Sequence, residues 1–166
     1  MRNPGTSPAM FRATRVVAAL LRFGLPMGPL RLLETTGRRS GERRSTPVAL
    51  TRHGGDRWIV SPFGDVHWVH NVRADPVGHL VRLRRPEPVT LVEVGADTAA
   101  PVIAAFRRSY RAVPFIRPAF DTDGHADVAA FRREATRHPV FRVTATNDHA
   151  LRSGDPGRAQ RHDAPT

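Results

Sequence analysis

The first regular pattern along the chain is helical, because apolar residues recur every three or four positions between Ala9 and Phe23. Gly24 and Pro26 end this pattern. The sequence therefore predicts an N-terminal amphipathic helix that either caps the domain or lies on an anionic membrane surface. The first role is favoured, since three arginines are few for membrane binding. They fall on one face of the predicted helix: Arg12, Arg15 and Arg22.

Six short apolar or alternating runs predict β-strands. The turn signal "HGGD" separates the second run from the third, and "RPEP" separates the fourth from the fifth, so each pair predicts a hairpin. The predicted strands are Leu30–Thr35, Pro47–Arg52, Arg57–Ser61, His79–Arg84, Val89–Val94 and Val140–Thr144.

Three further helices are predicted between these strands. Val66–Arg73 is short, a second helix begins at Asp97 or Thr98 and reaches Tyr110, and Ala126–Arg137 is the third. Antiparallel hairpins with inserted helices predict an α+β fold around a small barrel or sheet. We expect a loose N-terminus over residues 1–8, one domain over 9–146, and a disordered tail over 147–166, where apolar residues are lost.

Composition adds a strong positive charge to this outline. The chain has 166 residues, a formal net charge of +11 and no lysine, so all 26 basic residues are arginine. A GC-rich genome explains most of that total, but a basic surface still favours anionic partners. With no cysteine, thiolate chemistry and disulfides are excluded. The longest apolar run near the N-terminus, Val16–Leu21, is far too short to span a bilayer, which predicts a cytoplasmic protein.

The arginines are concentrated in the segment "TTGRRSGERRSTP", Thr35 to Pro47. Guanidinium groups suit phosphate and carboxylate, and glycines allow tight turns that expose backbone N–H groups. A site for a multiply charged anion and a solvated basic hairpin tip are equally compatible with this segment alone. The spacing matches neither a phosphate-binding P-loop nor a dinucleotide fingerprint.

A second segment, "SPFGDVHWVHNV", places the start of a helix after a predicted strand and a Pro/Gly turn. Trp68 and Asn71 are three positions apart, so they share a face of that helix. A tryptophan can stack on a flat ring, although a buried core tryptophan is the commoner case. His67 and His70 lack the acidic partner of the familiar helical zinc motifs, so no metal is predicted. No nucleic-acid recognition motif is present, and Arg82–Arg85 and Arg107–Arg111 are interpreted as solvated faces.

The segments "LLETTGRRSGERRSTPVAL", "SPFG" and "WVHNVRADP", in this order and spacing, resemble the deazaflavin-dependent nitroreductase family. The resemblance covers Arg31 to Val94, and "HPVFRV", His138 to Val143, is similar to the end of one branch of that family. It implies a split β-barrel of antiparallel strands with flanking helices, as in FMN-binding proteins. It also implies that the protein binds the deazaflavin coenzyme F-420.

The resemblance implies roles for individual residues. Basic residues on the phosphate and glutamyl tail of the cofactor would be Arg38, Arg39 and Arg44, with Ser40, Gly41 and Pro47 in the same segment. Arg43 would be an additional charge. The loop that lines the deazaflavin ring would be Ser61, Pro62, Phe63 and Gly64. The helix at the cofactor would contribute His67, Trp68, Val69 and Asn71, and a substrate wall is predicted from Tyr110, Phe115 and Phe120.

The implied function is an oxidoreductase that transfers hydride from reduced coenzyme F-420 to an electron-poor small molecule, such as a quinone, an enone or a nitro compound. Three alternatives stay open at this point. They are a protein of the same fold that carries or sequesters the cofactor, an FMN-binding split barrel, and a basic protein of nucleic-acid or membrane surfaces. We also expect a homodimer and a weak contact of the N-terminal helix with the inner membrane face.

Overall fold

The structure, a computed structural model, describes residues 28–113, 116–122 and 127–146. The predicted N-terminal helix, Phe115 and the predicted tail lie outside these residues. The strands are β1 (Leu30–Thr36), β2 (Arg43–His53), β3 (Asp56–Val60), β4 (Val77–Arg82), β5 (Arg85–Glu93) and β6 (Val140–Ala145). The helices are α1 (His67–Ala74), α2 (Ala96–Ser109) and α3 (Val128–Ala135), with a 3-10 turn at Arg117–Ala119.

The six strands form a closed antiparallel barrel in the order β1-β2-β3-β6-β5-β4. The two predicted hairpins, β2–β3 and β4–β5, are neighbours in it. Pairing of β1 with β4, from Leu32 opposite Val81 to Thr35 opposite Gly78, closes the barrel. The predicted α+β fold around an antiparallel barrel is therefore confirmed.

Two hydrophobic cores hold the fold together. The first fills the barrel and includes α1, which contributes Trp68, Val69 and Val72. The second lies outside β2, β3 and β6, where α2 covers the apolar side chains of Trp58, Val60 and Val140 and α3 packs against α2. Burial of apolar surface on both faces of the barrel is the main stabilising contribution. Among the described helices, none is long and apolar enough to cross a membrane.

The two ends of the barrel carry different connections. At one end, residues 37–42 join β1 to β2, residues 61–66 join β3 to α1, and α1 leads into β4. We call this the α1 end. The β2–β3 and β4–β5 turns lie at the other end, because neighbouring strands are antiparallel. The two segments that carry the family resemblance are thus at the same end of the barrel.

The structure corrects two predicted boundaries. The loop expected over Thr35–Pro47 is shorter, because β2 already begins at Arg43 and its residues 43–49 pair with all of β1. The β4–β5 turn lies two residues earlier than expected, at Leu83 and Arg84, which have φ angles of 50° and 64°. This mirror-image turn matches the twist of the strands, but it leaves Leu83 47% exposed instead of in the sheet.

The first half of β5 is exposed and contains two prolines. Residues 85–87 pair with β4 only, since β6 joins β5 at Val89 and the Pro88 carbonyl accepts from the Thr146 N–H at 3.2 Å. Pro86 and Pro88 have no N–H, so they cannot donate to a ladder. Both lie within this exposed half-strand.

We predict that Gly78→Ala destabilises the barrel at the β1–β4 seam. A Cβ at Gly78 would lie 2.6 Å from the backbone oxygen of Glu34, which cannot move without separating the strands. Overpacking of this kind costs about 1–3 kcal/mol of unfolding free energy, measured by urea denaturation. The control is Gly95→Ala, where a Cβ meets no atom within 4 Å and loss of a helix N-cap costs under about 1 kcal/mol. Equal losses in the two variants would contradict the steric argument.

Candidate cofactor site

Residues 37–42 form a compact turn, here called the arginine turn. The Gly37 N–H donates to the Glu42 carbonyl, and the Gly41 N–H donates to the Gly37 carbonyl, both at 2.8 Å. Gly41 has a φ of +67°, and a Cβ at Gly37 would lie 3.0 Å from Ser40 Oγ. Both glycines are therefore needed for the turn, which holds residues 38–40 outward in solvent.

The four arginines of this segment differ in their ion pairing. Arg43 pairs with Glu34 at 3.1 Å, and Arg44 pairs with Glu42 at 2.7 Å. Within the described residues, Arg38 and Arg39 have no carboxylate partner. The turn therefore presents two uncompensated guanidinium groups, a donor set suited to an anion.

The backbone of the turn adds further donors. The N–H groups of Arg39 and Ser40 make no hydrogen bond to any other described residue. Successive N–H groups in a tight turn form a concave surface that binds anions. The donors of this turn therefore fit a phosphate or carboxylate, which is the chemistry of the predicted cofactor tail.

Asn71 connects α1 to the arginine turn. Its Oδ1 accepts from the Arg38 N–H at 3.3 Å and from Arg38 Nη1 at 3.4 Å. Its Nδ2 donates to Thr35 Oγ1 at 3.4 Å. The structure therefore brings together Arg38 and Asn71, two predicted site residues that are 33 positions apart in sequence.

Arg73, also on α1, holds the helix against its neighbours. It pairs with Asp65 at 2.9 Å and with Glu93, at the end of β5, at 2.7 Å. Hydrogen bonds to Glu93 and Asp65 raise the pKa of Arg73 above its ordinary value. These pairs join the loop before α1, the helix itself and the barrel, so they fix the position from which Asn71 reaches the turn.

The Ser61–Gly64 loop is held by hydrogen bonds within the loop and by one to Pro139. Ser61 Oγ donates to the Gly64 carbonyl at 2.6 Å, and the Ser61 N–H donates to the Pro139 carbonyl at 2.9 Å. Gly64 has a φ of +73°, and a Cβ there would lie 3.2 Å from the Arg137 carbonyl. The Ser61 hydroxyl is thus engaged within the loop, and Pro62 and Phe63 are half-exposed.

The helix residues predicted at the cofactor divide between core and surface. Trp68 is 7% exposed and packs on Phe141, with ring centroids 5.3 Å apart. Val69 is completely buried inside the barrel, whereas His67 is exposed. A cofactor contact of Val69 is not available in this packing, because its side chain has no free surface.

Of the predicted substrate wall, the structure describes Tyr110 and Phe120, and both lie in the core outside the barrel instead of at the arginine turn. Phe120 is a core residue, 6% exposed, with its ring 4.2 Å from that of His138. The Tyr110 hydroxyl donates to the Leu50 carbonyl at 3.3 Å, at the end of the barrel away from the arginine turn. The reason is that α2 begins after β5 at the α1 end and runs along the barrel, so its last residues reach the opposite end.

A buried polar cluster lies beside the Ser61–Gly64 loop and was not predicted. Its centre is Glu134, which is 0% exposed. Oε1 accepts from the N–H groups of Asp121 and Thr122 at 2.8 Å, and Oε2 pairs with Arg137 at 3.2 Å and His138 at 3.1 Å. We call this set the Glu134 network.

Arg107 borders the Glu134 network, and its position contradicts the prediction made for it from sequence. It was predicted on a solvated face, yet it is buried and donates to the Thr122 carbonyl at 2.9 Å. Its guanidinium lies 5.1 Å from the centroid of the Phe120 ring. A sequence signal for the network exists, because Phe131, Glu134 and His138 recur at helical spacing and so share a buried face.

His138 is the titratable group through which this network responds to pH. Burial lowers its pKa below the ordinary value of 6.5, although Glu134 opposes the shift. The unfolded state therefore binds the proton more readily than the folded state. We predict that the contribution of His138 to the unfolding free energy is fully present above about pH 6.5 and is lost as pH falls below that value.

Urea denaturation from pH 5 to 7.5 tests this pH dependence. The variant His138→Gln keeps a polar side chain and has no titrating ring. The slope below pH 6.5 should therefore be smaller in this variant. A slope that is identical in wild type and variant would assign the pH dependence to another group.

Comparison with known proteins decides the family. The sequence profile of the F-420H(2)-dependent quinone reductase family matches residues 9–113. The chain belongs to this family. It is therefore an oxidoreductase whose cofactor is coenzyme F-420, and the resemblance stated from the two motifs is confirmed. No curated protein sequence matches the chain.

Several solved structures are similar to this F-420-dependent family member in fold. One was solved as a domain-swapped dimer, with 19% identity, coverage of 83% of this chain and 100% of that chain, and a TM-score of 0.52. Another is an F-420-H2 dependent reductase, with 23% identity, coverage of 70% and 94%, and a TM-score of 0.49. A third, from Listeria innocua, is assigned as a pyridoxamine 5′-phosphate oxidase, with 8% identity, coverage of 80% and 93%, and a TM-score of 0.49.

Proposed function

We propose that this protein transfers hydride from reduced coenzyme F-420 to a quinone, and that the arginine turn holds the anionic tail of the cofactor. The observation that carries the proposal is the pair of exposed, uncompensated guanidinium groups of Arg38 and Arg39 at the α1 end of the barrel. Family membership supplies the type of cofactor, and the turn supplies donors of the right charge.

The residues of the α1 end would bind different parts of the cofactor. Arg38, Arg39 and the N–H groups of Arg39 and Ser40 bind the phosphate and glutamyl tail. The backbone of the Ser61–Gly64 loop lines the ring, and Trp68 supports the loop and helix from within the core. When bound, reduced coenzyme F-420 supplies the hydride. The protein contributes binding, orientation and exclusion of water, so no acid or nucleophile is required from the chain.

FMN was the alternative cofactor open from the sequence, and family membership favours coenzyme F-420 over it. Four arginines would exceed the needs of the single FMN phosphate, but Arg43 and Arg44 are already paired with carboxylates. Two remaining guanidinium groups are compatible with either cofactor. What favours the deazaflavin is its tail, which carries glutamyl carboxylates in addition to phosphate and so matches a turn with several separate donors.

The experiment is a fluorescence titration of the purified protein with oxidised coenzyme F-420, run in parallel with FMN. Saturable binding of the deazaflavin with weak or absent binding of FMN is the expected result. Tighter binding of FMN would overturn the cofactor assignment of the turn. Oxidation of the reduced cofactor is then followed by absorbance with a quinone, an enone and a nitro compound as acceptors. Turnover with the enone or the nitro compound but not with the quinone would overturn the proposed acceptor.

We also propose that the protein forms a homodimer, because a protein with 19% identity and a similar fold was solved as a domain-swapped dimer. Light scattering coupled to size exclusion would give a mass of about twice 18.3 kDa at micromolar concentration. A mass that stays at the monomer value over the tested concentrations would contradict this proposal.

A further inference from the structure

The side chain of Asn71 is directed at the protein's own turn. The residue is 6% exposed. Its amide oxygen contacts the arginine turn, and its amide nitrogen contacts β1. The orientation of its amide is determined by chemistry. The Arg38 N–H and guanidinium can only donate, so the atom that faces them must be Oδ1, and Nδ2 must face Thr35.

These contacts use most of the hydrogen-bonding capacity of Asn71. A side-chain amide has two acceptor lone pairs and two N–H donors. Arg38 occupies both lone pairs, once through its backbone and once through its guanidinium, and Thr35 occupies one donor. The backbone contact matters most, because the arginine turn closes through Gly37, Gly41 and Glu42 and leaves the Arg38 N–H without a partner in the turn itself.

We infer that Asn71 is a positioning residue that acts on the cofactor through Arg38. It fixes the Arg38 backbone and directs its guanidinium, so that the turn is preorganised before an anion binds. The inference rests on the proposed function, in which the arginine turn holds the anionic tail. It replaces the expectation from the family resemblance that Asn71 itself stands at the cofactor.

A double-mutant cycle separates positioning from direct contact. Asn71→Leu is of similar size and removes every polar contact of the side chain. If Asn71 acts through Arg38, the dissociation constant for oxidised coenzyme F-420 rises about tenfold in Asn71→Leu. The same substitution made in the Arg38→Ala variant then causes a clearly smaller further loss.

Direct contact of Asn71 with the cofactor predicts a different result. The loss caused by Asn71→Leu would then be the same with and without the Arg38 side chain, because the two contacts would be independent. The test compares the two ratios of dissociation constants from the same fluorescence titration. A smaller loss in the Arg38→Ala background supports positioning, whereas an equal loss overturns it.

Two controls keep this test separate from other failures. Thermal melting of each variant shows whether it folds, and Thr35→Val provides a milder change that removes only the partner of Nδ2. Thr35→Val should raise the dissociation constant by about threefold, a smaller loss than that expected for Asn71→Leu. Unchanged affinity after removal of Arg38 and Arg39 would refute the proposed function of the turn. A loss in that variant together with unchanged affinity in Asn71→Leu would refute only the role given to Asn71.

Discussion

Replacing Arg38 and Arg39 together with alanine is expected to weaken binding of coenzyme F-420 by about a hundredfold, while the unfolding free energy changes little. A hydrogen bond between charged groups contributes about 1.5–3 kcal/mol when it is not fully solvated, and two contacts at the lower end give this factor. Both side chains are exposed and lack ion-pair partners among the described residues, so the fold does not depend on them. The measurement is the fluorescence titration, with melting temperature recorded in parallel.

The control for this variant is Arg82→Ala combined with Arg85→Ala. These two arginines are also exposed and unpaired in the described part of the chain, but they flank the β4–β5 turn at the other end of the barrel. The control removes the same total charge, so any general effect of net charge appears equally in both variants. A similar loss of affinity in the two double variants would contradict a specific role of the arginine turn. Addition of salt should weaken binding to wild type more than binding to Arg38→Ala/Arg39→Ala.

Glu134→Ala is expected to lower the unfolding free energy by about 3–5 kcal/mol, the loss found when one partner of a buried charged cluster is removed. The substitution leaves the N–H groups of Asp121 and Thr122 without acceptors and His138 without its partner. Urea denaturation followed by tryptophan fluorescence measures the loss, since Trp58 and Trp68 lie in the two separate cores.

Two comparisons define what the Glu134 result means. Glu134→Gln keeps an acceptor for the two backbone N–H groups and should lose less stability than Glu134→Ala. Asp97→Ala removes an exposed carboxylate that pairs with Arg132 at 2.7 Å, and such surface pairs contribute under about 1 kcal/mol. A loss for Glu134→Ala as small as that for Asp97→Ala would show that the network is not a stabilising element.

The strands and helices could largely be predicted from sequence, because each depends on a local pattern. The β4–β5 hairpin shows where this stops. Its two strands were predicted. The alternating pattern continues through Leu83 and Arg84, however, so it predicted a strand at these residues, where the chain turns with positive φ. Closure of the barrel through β1 and β4 is a contact between distant segments, and no local pattern specifies it.

Prediction of the candidate site had a similar limit. Motif resemblance placed the arginine segment and the α1 helix in one site, and the hydrogen bonds between Arg38 and Asn71 join them. Resemblance did not indicate that Trp68 and Val69 face the core. Nor did it indicate that α3 buries Glu134 while Val128, the first residue of that helix, is 63% exposed. The spacing of Glu134 with Phe131 and His138 indicates a shared face, but charged residues are expected at the surface, so the four partners of the buried carboxylate are found only from coordinates.

The exposed half of β5 has a consequence for behaviour at high concentration. A free strand edge can recruit a strand from another molecule and so begin aggregation. Residues 85–87 pair on one side only, yet Pro86 and Pro88 remove two of the donors that an incoming strand would need. Arg85 and Glu87 add charge to the same stretch. Both features oppose the pairing of a strand from another molecule with this edge, and so oppose fibre formation.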